Sequence, residues 1–278
     1  MHTAIIGFII IAINFLFSYK GFKDNIFFDK YKFEVDKILI NKEYYRLITS
    51  SFLHVDWQHL IFNMLSLYFF FELVELQLGS LNFLILYFAS LIGGDLLALF
   101  IHKNHGDYSA VGASGAVCGI IFASIALFPK IGVGIIFLPF SIPGWLYGIL
   151  YVAFTIYGIK SKRDNIGHEA HLGGALIGML TAIVLYPDSL QANYIPILIV
   201  FIPCVLFIYL IVTKPHFLLV DNYFFNSKKY YSIEDKYNDK KVNKQKEVDR
   251  LLDRISEKGI DSLTTKEKQK LEEFSGKR

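Results

Sequence analysis

The sequence predicts an all-α fold: a polytopic transmembrane helix bundle with a six-helix core, a seventh span and a short helical C-terminal tail. Three observations point there. Hydrophobic residues make up 54% of the 278 and charged ones only 19%, where a soluble domain carries about 25% charge. The charge is segregated, since residues 214–278 hold 16 of the 28 Lys+Arg and 12 of the 25 Asp+Glu. Finally, seven apolar stretches recur at lengths near the roughly 20 residues that a membrane-crossing helix needs. The two cysteines, Cys118 and Cys204, stand in apolar runs and offer neither a disulfide framework nor metal-ligand spacing.

The stretches run over about 3–18, 58–76, 81–101, 114–129, 145–159, 169–186 and 195–213. The first, "HTAIIGFIIIAINFLF", has no Lys or Arg before Lys20 and no A-x-A site after it. It therefore reads as a spanning helix, not a cleaved signal. The connection over 19–56 contains "FFDKYKFEV" and "EYYRLITSSFLH". Loops of this length are functional or disordered, and this one has too many large apolar residues for disorder. It should fold onto or into the bilayer edge. The run "IGVGIIFLPFSIPGW", with Pro139, Pro143 and three glycines, predicts a packed loop at the membrane surface. The seventh stretch carries Pro196 and Pro203.

Three regions result: a membrane core over 1–190, an additional transmembrane helix over 191–213 and a charged tail over 214–278. The tail's net charge of +4 could meet anionic lipid, although mixed-sign charge more often marks a solvated face. Val248, Leu251, Leu252 and Ile255 follow helical spacing, with Gly259 as a stop. "TTKE" at 264–267 offers a capping box for a second short helix through about Phe274. The expectation is an αα-hairpin that serves as an interaction module with no catalytic constellation and an unknown partner.

Polar groups inside spans are costly and mark function. Helix two opens "HVDWQHLIFNM", presenting His54, His59 and Asn63, the last two on one face. Helix four opens on Ser114, and helix six reads "GHEAHLGGALIGM" with His168 and His171. Each has a structural alternative. A membrane serine commonly bonds back to its own i−4 carbonyl, while histidines and asparagines serve as interhelical glue. The glycines tip the balance. Gly115 and Gly119 follow Ser114 as G-x-x-x-G, and Gly174 and Gly178 follow His171 as G-x-x-x-G. Small residues four apart let helix backbones approach closely. Packing those two faces would bring serine oxygen to imidazole, as a nucleophile and general base require. No Asp or Glu sits well inside either helix to orient the ring, so the expectation is a Ser–His dyad without a third member. An oxyanion formed by attack on a peptide carbonyl needs donors. The first-turn N–H of Ser114, His59 and Asn63 are the candidates.

At these residues the chain resembles the rhomboid intramembrane serine proteases. Three blocks carry the likeness: "HVDWQHLIFNM" as H-x₄-H-x₃-N, "GASG" as G-x-S-G, and "AHLGGALIG" as A-H-x₂-G-x₃-G. It spans about residues 1–186. The resemblance implies Ser114 as nucleophile and His171 as base, with Gly112, His59, Asn63 and the Ser114 amide at the oxyanion site. It gives His54 a supporting role. "ELQLG" at 75–79 resembles an E-x₃-G element whose glutamate supports the first loop, and "YYRLITS" an aromatic-Arg element in that loop. Glu75 and Arg46, beside Tyr45, thus receive structural roles. Cys118 departs from relatives that carry a tyrosine there, stacked on the catalytic histidine; another group must hold His171 here.

The function expected is serine endopeptidase action on transmembrane-helix proteins within the lipid bilayer, with no cofactor, no metal and no nucleic-acid partner. Substrates should carry Gly, Ala, Ser or Pro near the cut, because an intact helix hides its amides. The expected location is a bacterial inner membrane, multi-pass. The resemblance places the first loop outside, whereas counting Lys+Arg inverts that orientation; the tail's side stays open. Two alternatives belong to other classes. One is a non-cleaving, chaperone-like binder of transmembrane helices, and the other a metal or quinone site built from His54, His59, His168 and His171.

Overall fold

The computed structural model describes residues 4–134, 141–161 and 166–213, and in the tail residues 248, 251, 252, 254, 255, 263, 264 and 267. The chain divides into two units, Met1–Ser227 and Lys228–Arg278. The first runs, in chain order, α1 (Ile6–Lys23), α2 (Asn25–Tyr31), β1 (Phe33–Glu34), α3 (Val35–Leu39), α4 (Arg46–Thr49), α5 (Trp57–Leu78), α6 (Ser80–His102), β2 (Ser109–Ala110), α7 (Ser114–Leu127), β3 (Gly132–Gly134), β4 (Ser141–Pro143), α8 (Gly144–Ser161), α9 (His168–Leu185) and α10 (Asp188–Thr213). Among the described residues, α1, α5, α6, α9 and α10 are long and apolar enough to cross a membrane, while α7 and the apolar part of α8 are shorter. The architecture is the all-α bundle expected, and every predicted stretch coincides with one of these helices.

The bundle is built around α7. That helix has no polar face, and every residue from Gly115 to Leu127 is buried. An all-apolar helix must lie in lipid or inside a bundle; this one lies inside, with α5, α6, α8, α9 and α10 packed on it. At 14 residues it is about 21 Å long, well short of the roughly 30 Å hydrocarbon core. Its N-terminus therefore has the depth of a buried site, reached by the 103–113 connection.

Local chemistry sets the helix ends. The Asp56 carboxylate accepts the His59 N–H at 2.7 Å, an N-cap that starts α5 at Trp57 and places His59 in its first turn. Gly79 alone separates α5 from α6, with φ +80°, a conformation that favours glycine and permits the reversal. Near the start of α10 a kink falls at Asn193. Its side chain donates to the carbonyls of Ala126 and Leu127 at 3.0 and 3.1 Å, two groups that the end of α7 leaves without helical partners.

The first connection is ordered structure, as its apolar content predicted. Phe33, Val35 and Ile38 form a second small core with Ala98 of α6, and β1 pairs antiparallel with β2. Arg46 holds it together, donating to the carbonyls of Asp29 and Lys32 at 2.8 and 2.7 Å and to the Glu43 carboxylate at 2.6 Å. That guanidinium keeps the Glu43 carboxyl below its usual range.

Two expectations need correcting. Glu75 does not support the first loop. Its carboxylate accepts the N–H groups of Ile5 and Ile6 at 3.1 Å and of Gly7 at 3.0 Å, and the Ser80 hydroxyl at 2.8 Å. Glu75 stands in the last turn of α5, at the opposite end from the loop. There it meets the orphan amides and positive dipole end of α1. The run before α8 is not merely a packed loop: Gly132–Gly134 and Ser141–Pro143 pair as an antiparallel ladder, and residues 135–140 fall outside the described residues.

In the second unit, Val248, Leu251, Leu252, Arg254 and Ile255 are helical. The Thr264 N–H and hydroxyl reach Glu267 at 2.9 Å each, and the Glu267 N–H returns to Thr264 at 3.4 Å. That is the reciprocal capping box read from "TTKE". Gly259, Phe274 and the hairpin as a whole lie outside the described residues.

Candidate active site

The site begins with backbone contact. A Cβ on Gly174 would stand 2.7 Å from the Gly115 carbonyl carbon, with the Gly115 oxygen nearer still, and one on Gly178 would stand 2.6 Å from the Gly119 carbonyl carbon. Real side chains do not approach backbone so closely, so α7 and α9 meet at a distance that only glycine allows. The α6 helix joins through Gly93 and Gly94, the latter facing the Ala170 carbonyl. This third glycine surface, visible in the sequence as "IGGDLL", was not anticipated.

That approach brings the candidate serine and histidine together. His171 Nε2 lies 2.6 Å from Ser114 Oγ. Ser114 is the first residue of α7, so its N–H has no helical carbonyl behind it. On the other face of the ring, Tyr151 Oη of α8 stands 3.0 Å from His171 Nδ1, and Cys118 Sγ stands 2.9 Å from Tyr151 Oη. Tyr151 and His171 are 6.4 Å apart between ring centres at an interplanar angle of 28°. The group that stands against His171 Nδ1 is Tyr151, from a helix the motifs do not touch. An aromatic in an apolar helix carries no sequence signal of its own.

A cavity of about 940 Å³ opens here, lined among others by His59, Asn63, Gly112, Ser114, Tyr151 and His171. Gly112 has φ +131°, and a Cβ there would meet His59 Nε2 at 2.8 Å and Ser114 Oγ at 3.7 Å. His59 therefore flanks the serine across a glycine that could not be replaced without strain. Asn63 Nδ2 donates to the His59 carbonyl at 3.2 Å, which fixes its amide on the cavity wall.

His54 is a strut behind this wall. Its Nε2 accepts the Ala113 N–H at 3.4 Å, and its Nδ1 lies 2.9 Å from Ser18 Oγ, which donates onward to the Phe52 carbonyl at 3.1 Å. Because Ala113 brings a hydrogen to Nε2, the proton sits on Nδ1 and the ring is neutral. Burial, with His59 beside it, lowers the imidazole from 6.5 to about 3. Gly112 is tied too, its N–H donating to the Ser50 carbonyl at 3.1 Å. The backbone leading into Ser114 is thus pinned from two sides.

The two carboxylates of the cavity have partners other than His171. Glu169, two residues before His171, turns to His102 at 3.6 Å, and Tyr108 stacks on that histidine at 3.5 Å. Asp95 of α6 accepts the Ser50 hydroxyl at 3.1 Å. Asp95, an ionisable residue within a span, was passed over in the sequence, although the cost of burying such a group is the signal that would have marked it. The four histidines of the metal alternative fall into two pairs, His54–His59 at 4.9 Å and His168–His171 at 6.0 Å between ring centres.

Comparison with known proteins fits this geometry. A family model described as the Rhomboid domain matches residues 41–188, and one for a family of unknown function (DUF6576) matches residues 231–277. The chain is 29% identical over 193 residues to RHOMBOID-like protein 12, mitochondrial, of Arabidopsis thaliana, covering 63% of this chain and 56% of that one. It is 33% identical over 152 residues to Rhomboid protein 1, mitochondrial, of Saccharomyces cerevisiae, covering 51% and 43%. It is 30% identical over 150 residues to Rhomboid protease GluP of Bacillus subtilis, covering 54% and 28%. The chain spans about half the length, or less, of these relatives.

Proposed function

The chain belongs to the rhomboid family and is an integral membrane protein; from that premise we propose that it is an intramembrane serine endopeptidase using Ser114 and His171. The observation that carries this is the 2.6 Å approach of His171 Nε2 to Ser114 Oγ across a glycine-only helix contact. His171 takes the hydroxyl proton as Ser114 Oγ bonds to the scissile carbonyl carbon. The carbonyl oxygen becomes an oxyanion, and the Ser114 N–H, His59 and Asn63 are the donors facing it. The imidazolium then returns the proton to the leaving amine, the C–N bond breaks, and an acyl-enzyme remains. Water, deprotonated by the same ring, hydrolyses the ester and restores Ser114. Every step is proton transfer and acyl exchange on groups this chain supplies.

The substrate class is proteins with a transmembrane helix. A continuous helix keeps its amides in internal hydrogen bonds, so segments interrupted by Gly, Ala, Ser or Pro are favoured for attack. The named relatives are mitochondrial as well as bacterial, and do not favour a bacterial inner membrane for this chain.

Reaction of the detergent-solubilised protein with a fluorophosphonate probe tests the proposal. Wild type should be modified, and Ser114→Ala and His171→Ala should not. Equal labelling of His171→Ala would remove the histidine from the base role. No labelling of wild type would favour the alternative, a protein that binds transmembrane helices without cutting them.

A further inference from the structure

The dyad uses one ring nitrogen, and the structure shows what occupies the other. Tyr151 Oη lies 3.0 Å from His171 Nδ1, and Cys118 Sγ 2.9 Å from Tyr151 Oη. Neutral imidazole has two tautomers, and only one is useful here. With the proton on Nδ1, Nε2 carries the lone pair that accepts from Ser114. With the proton on Nε2, the ring donates to Ser114 Oγ and cannot take its proton. Which form prevails depends on the hydrogen bond made at Nδ1.

We propose that Tyr151 is a positioning residue for His171: its hydroxyl oxygen accepts the Nδ1–H and holds the ring in the productive tautomer. This rests on the dyad reading above. The tyrosine can equally donate, which would select the wrong tautomer, and a second acceptor for its O–H at Cys118 favours the first arrangement. When Cys118 Sγ, one turn after Ser114, accepts the Tyr151 O–H, the lone pair of Oη is left facing Nδ1. The chain of donors then runs without conflict from Ser114 O–H to His171 Nε2, from His171 Nδ1–H to Tyr151 Oη, and from Tyr151 O–H to Cys118 Sγ. No proton leaves Nδ1 during reaction; the tyrosine orients the ring and shares the charge of the imidazolium when it forms. A thiol is a weak acceptor, so Cys118 biases the tyrosine while the tyrosine orients the histidine.

The position of Tyr151 gives this a structural consequence. Ser114 and His171 are brought together by the α7–α9 glycine contact, but Tyr151 belongs to α8, which packs on α7, α9 and α10 and, among the described residues, makes no glycine contact of that kind with any of them. The orientation of the base thus depends on a helix outside the glycine-locked pair.

Two measurements test it. The first compares the rate of fluorophosphonate modification of Ser114 in wild type, Tyr151→Phe, Cys118→Ala and His171→Ala, each with its thermal unfolding in detergent. Losing a hydrogen bond to a group that becomes charged should slow Tyr151→Phe by about tenfold to a hundredfold. Its unfolding midpoint should stay within a few degrees of wild type, and Cys118→Ala should lie between the two in rate. If His171→Ala abolishes labelling while Tyr151→Phe labels at the wild-type rate, the tyrosine role is overturned and the dyad stands. If His171→Ala labels normally, both fall. The second uses ¹⁵N-histidine-labelled protein, the His171 signals being those missing from His171→Ala. The neutral ring of wild type should be the Nδ1–H form, and Tyr151→Phe should show the Nε2–H form beside it. An Nε2–H ring in wild type overturns the proposal, and this reading holds even if Tyr151→Phe fails to fold.

Discussion

Replacing one glycine with alanine on each side of the α7–α9 contact should give opposite outcomes. A Cβ on Gly115 would meet only the Ala170 carbonyl, its oxygen at 3.4 Å and its carbon at 3.9 Å, within ordinary contact. A Cβ on Gly174 would stand 2.7 Å from the Gly115 carbonyl carbon, with the oxygen nearer still. Restoring even 3.4 Å to that carbon requires the helices to part by at least 0.7 Å. The oxygen, nearer still, demands more, so the displacement is at least about 1 Å. Ser114 is adjacent to Gly115 and His171 is three residues from Gly174, so this separation acts within a turn of the 2.6 Å Ser114–His171 approach. Misplacement of reacting groups by about 1 Å can cost roughly a hundredfold in rate, and overpacking costs about 1–3 kcal/mol of stability. Alanine recovers up to about 1 kcal/mol of helix propensity over glycine, which offsets part of the second loss and none of the first. Gly174→Ala should therefore lose about a hundredfold in fluorophosphonate labelling while much of the protein stays folded. Gly115→Ala should keep its rate within about threefold, with an unchanged or raised unfolding midpoint. A folded Gly174→Ala that labels like wild type would show that the glycine contact does not set the dyad distance.

Three further outcomes follow from other parts of the bundle. Glu75→Gln keeps the shape but removes the charge from three α1 amides and the Ser80 hydroxyl; stability should drop by about 1–3 kcal/mol, read by thermal unfolding, with the labelling rate of the folded fraction within about threefold of wild type. Arg46→Lys cannot reach two carbonyls and a carboxylate at once, so amides of residues 29–33 should exchange hydrogen faster while those of α7 do not. His54 titrates near 3 when folded and near 6.5 when unfolded. Below pH 6.5 the unfolded chain therefore binds a proton that the folded chain refuses. The contribution of His54 to stability should be flat above that pH and fall as pH drops, by roughly 3 kcal/mol at pH 4. Unfolding measured from pH 4 to 8 should show this slope diminished in His54→Phe, and equal slopes would sink the buried, neutral assignment.

The sequence made the bundle legible because lipid and a buried core impose the same demand. Each of the seven apolar stretches became a helix, and the two G-x-x-x-G patterns marked the faces that touch. Histidine, asparagine and serine were legible as candidates because polar groups are scarce in such helices. Tyr151 was not, since tyrosine is common in apolar helices and its partner lies 20 residues away on another helix. Asn14 and Ser18 were passed over in α1, where Ser18 proves to be the partner of His54. Glu75 illustrates a different limit. Its type and place at the end of α5 announced a capping carboxylate, but which amides it caps depends on how α1 crosses α5, and spacing along one chain does not encode that crossing.

Two carboxylates line the same cavity, yet neither orients His171: Glu169 faces His102 and Asp95 faces Ser50. A carboxylate against Nδ1 would stabilise the imidazolium strongly in a low-dielectric site, but taking that charge out of water is itself expensive. Tyrosine and thiol avoid the burial cost and supply less stabilisation. A base held by neutral groups is the weaker one, so more of the barrier must be lowered at the other charge that the reaction creates, on the substrate oxygen. This explains why the structure invests so heavily around Ser114. The Asp56 cap places His59, the Asn63 amide is tied to the first turn of α5, Gly112 admits the His59 ring, and His54 with Ser50 pins the strand of backbone between them. On the proposed mechanism, the preorganisation that a carboxylate would have supplied on the histidine side falls instead on the oxyanion side, on backbone and the rings of His54 and His59.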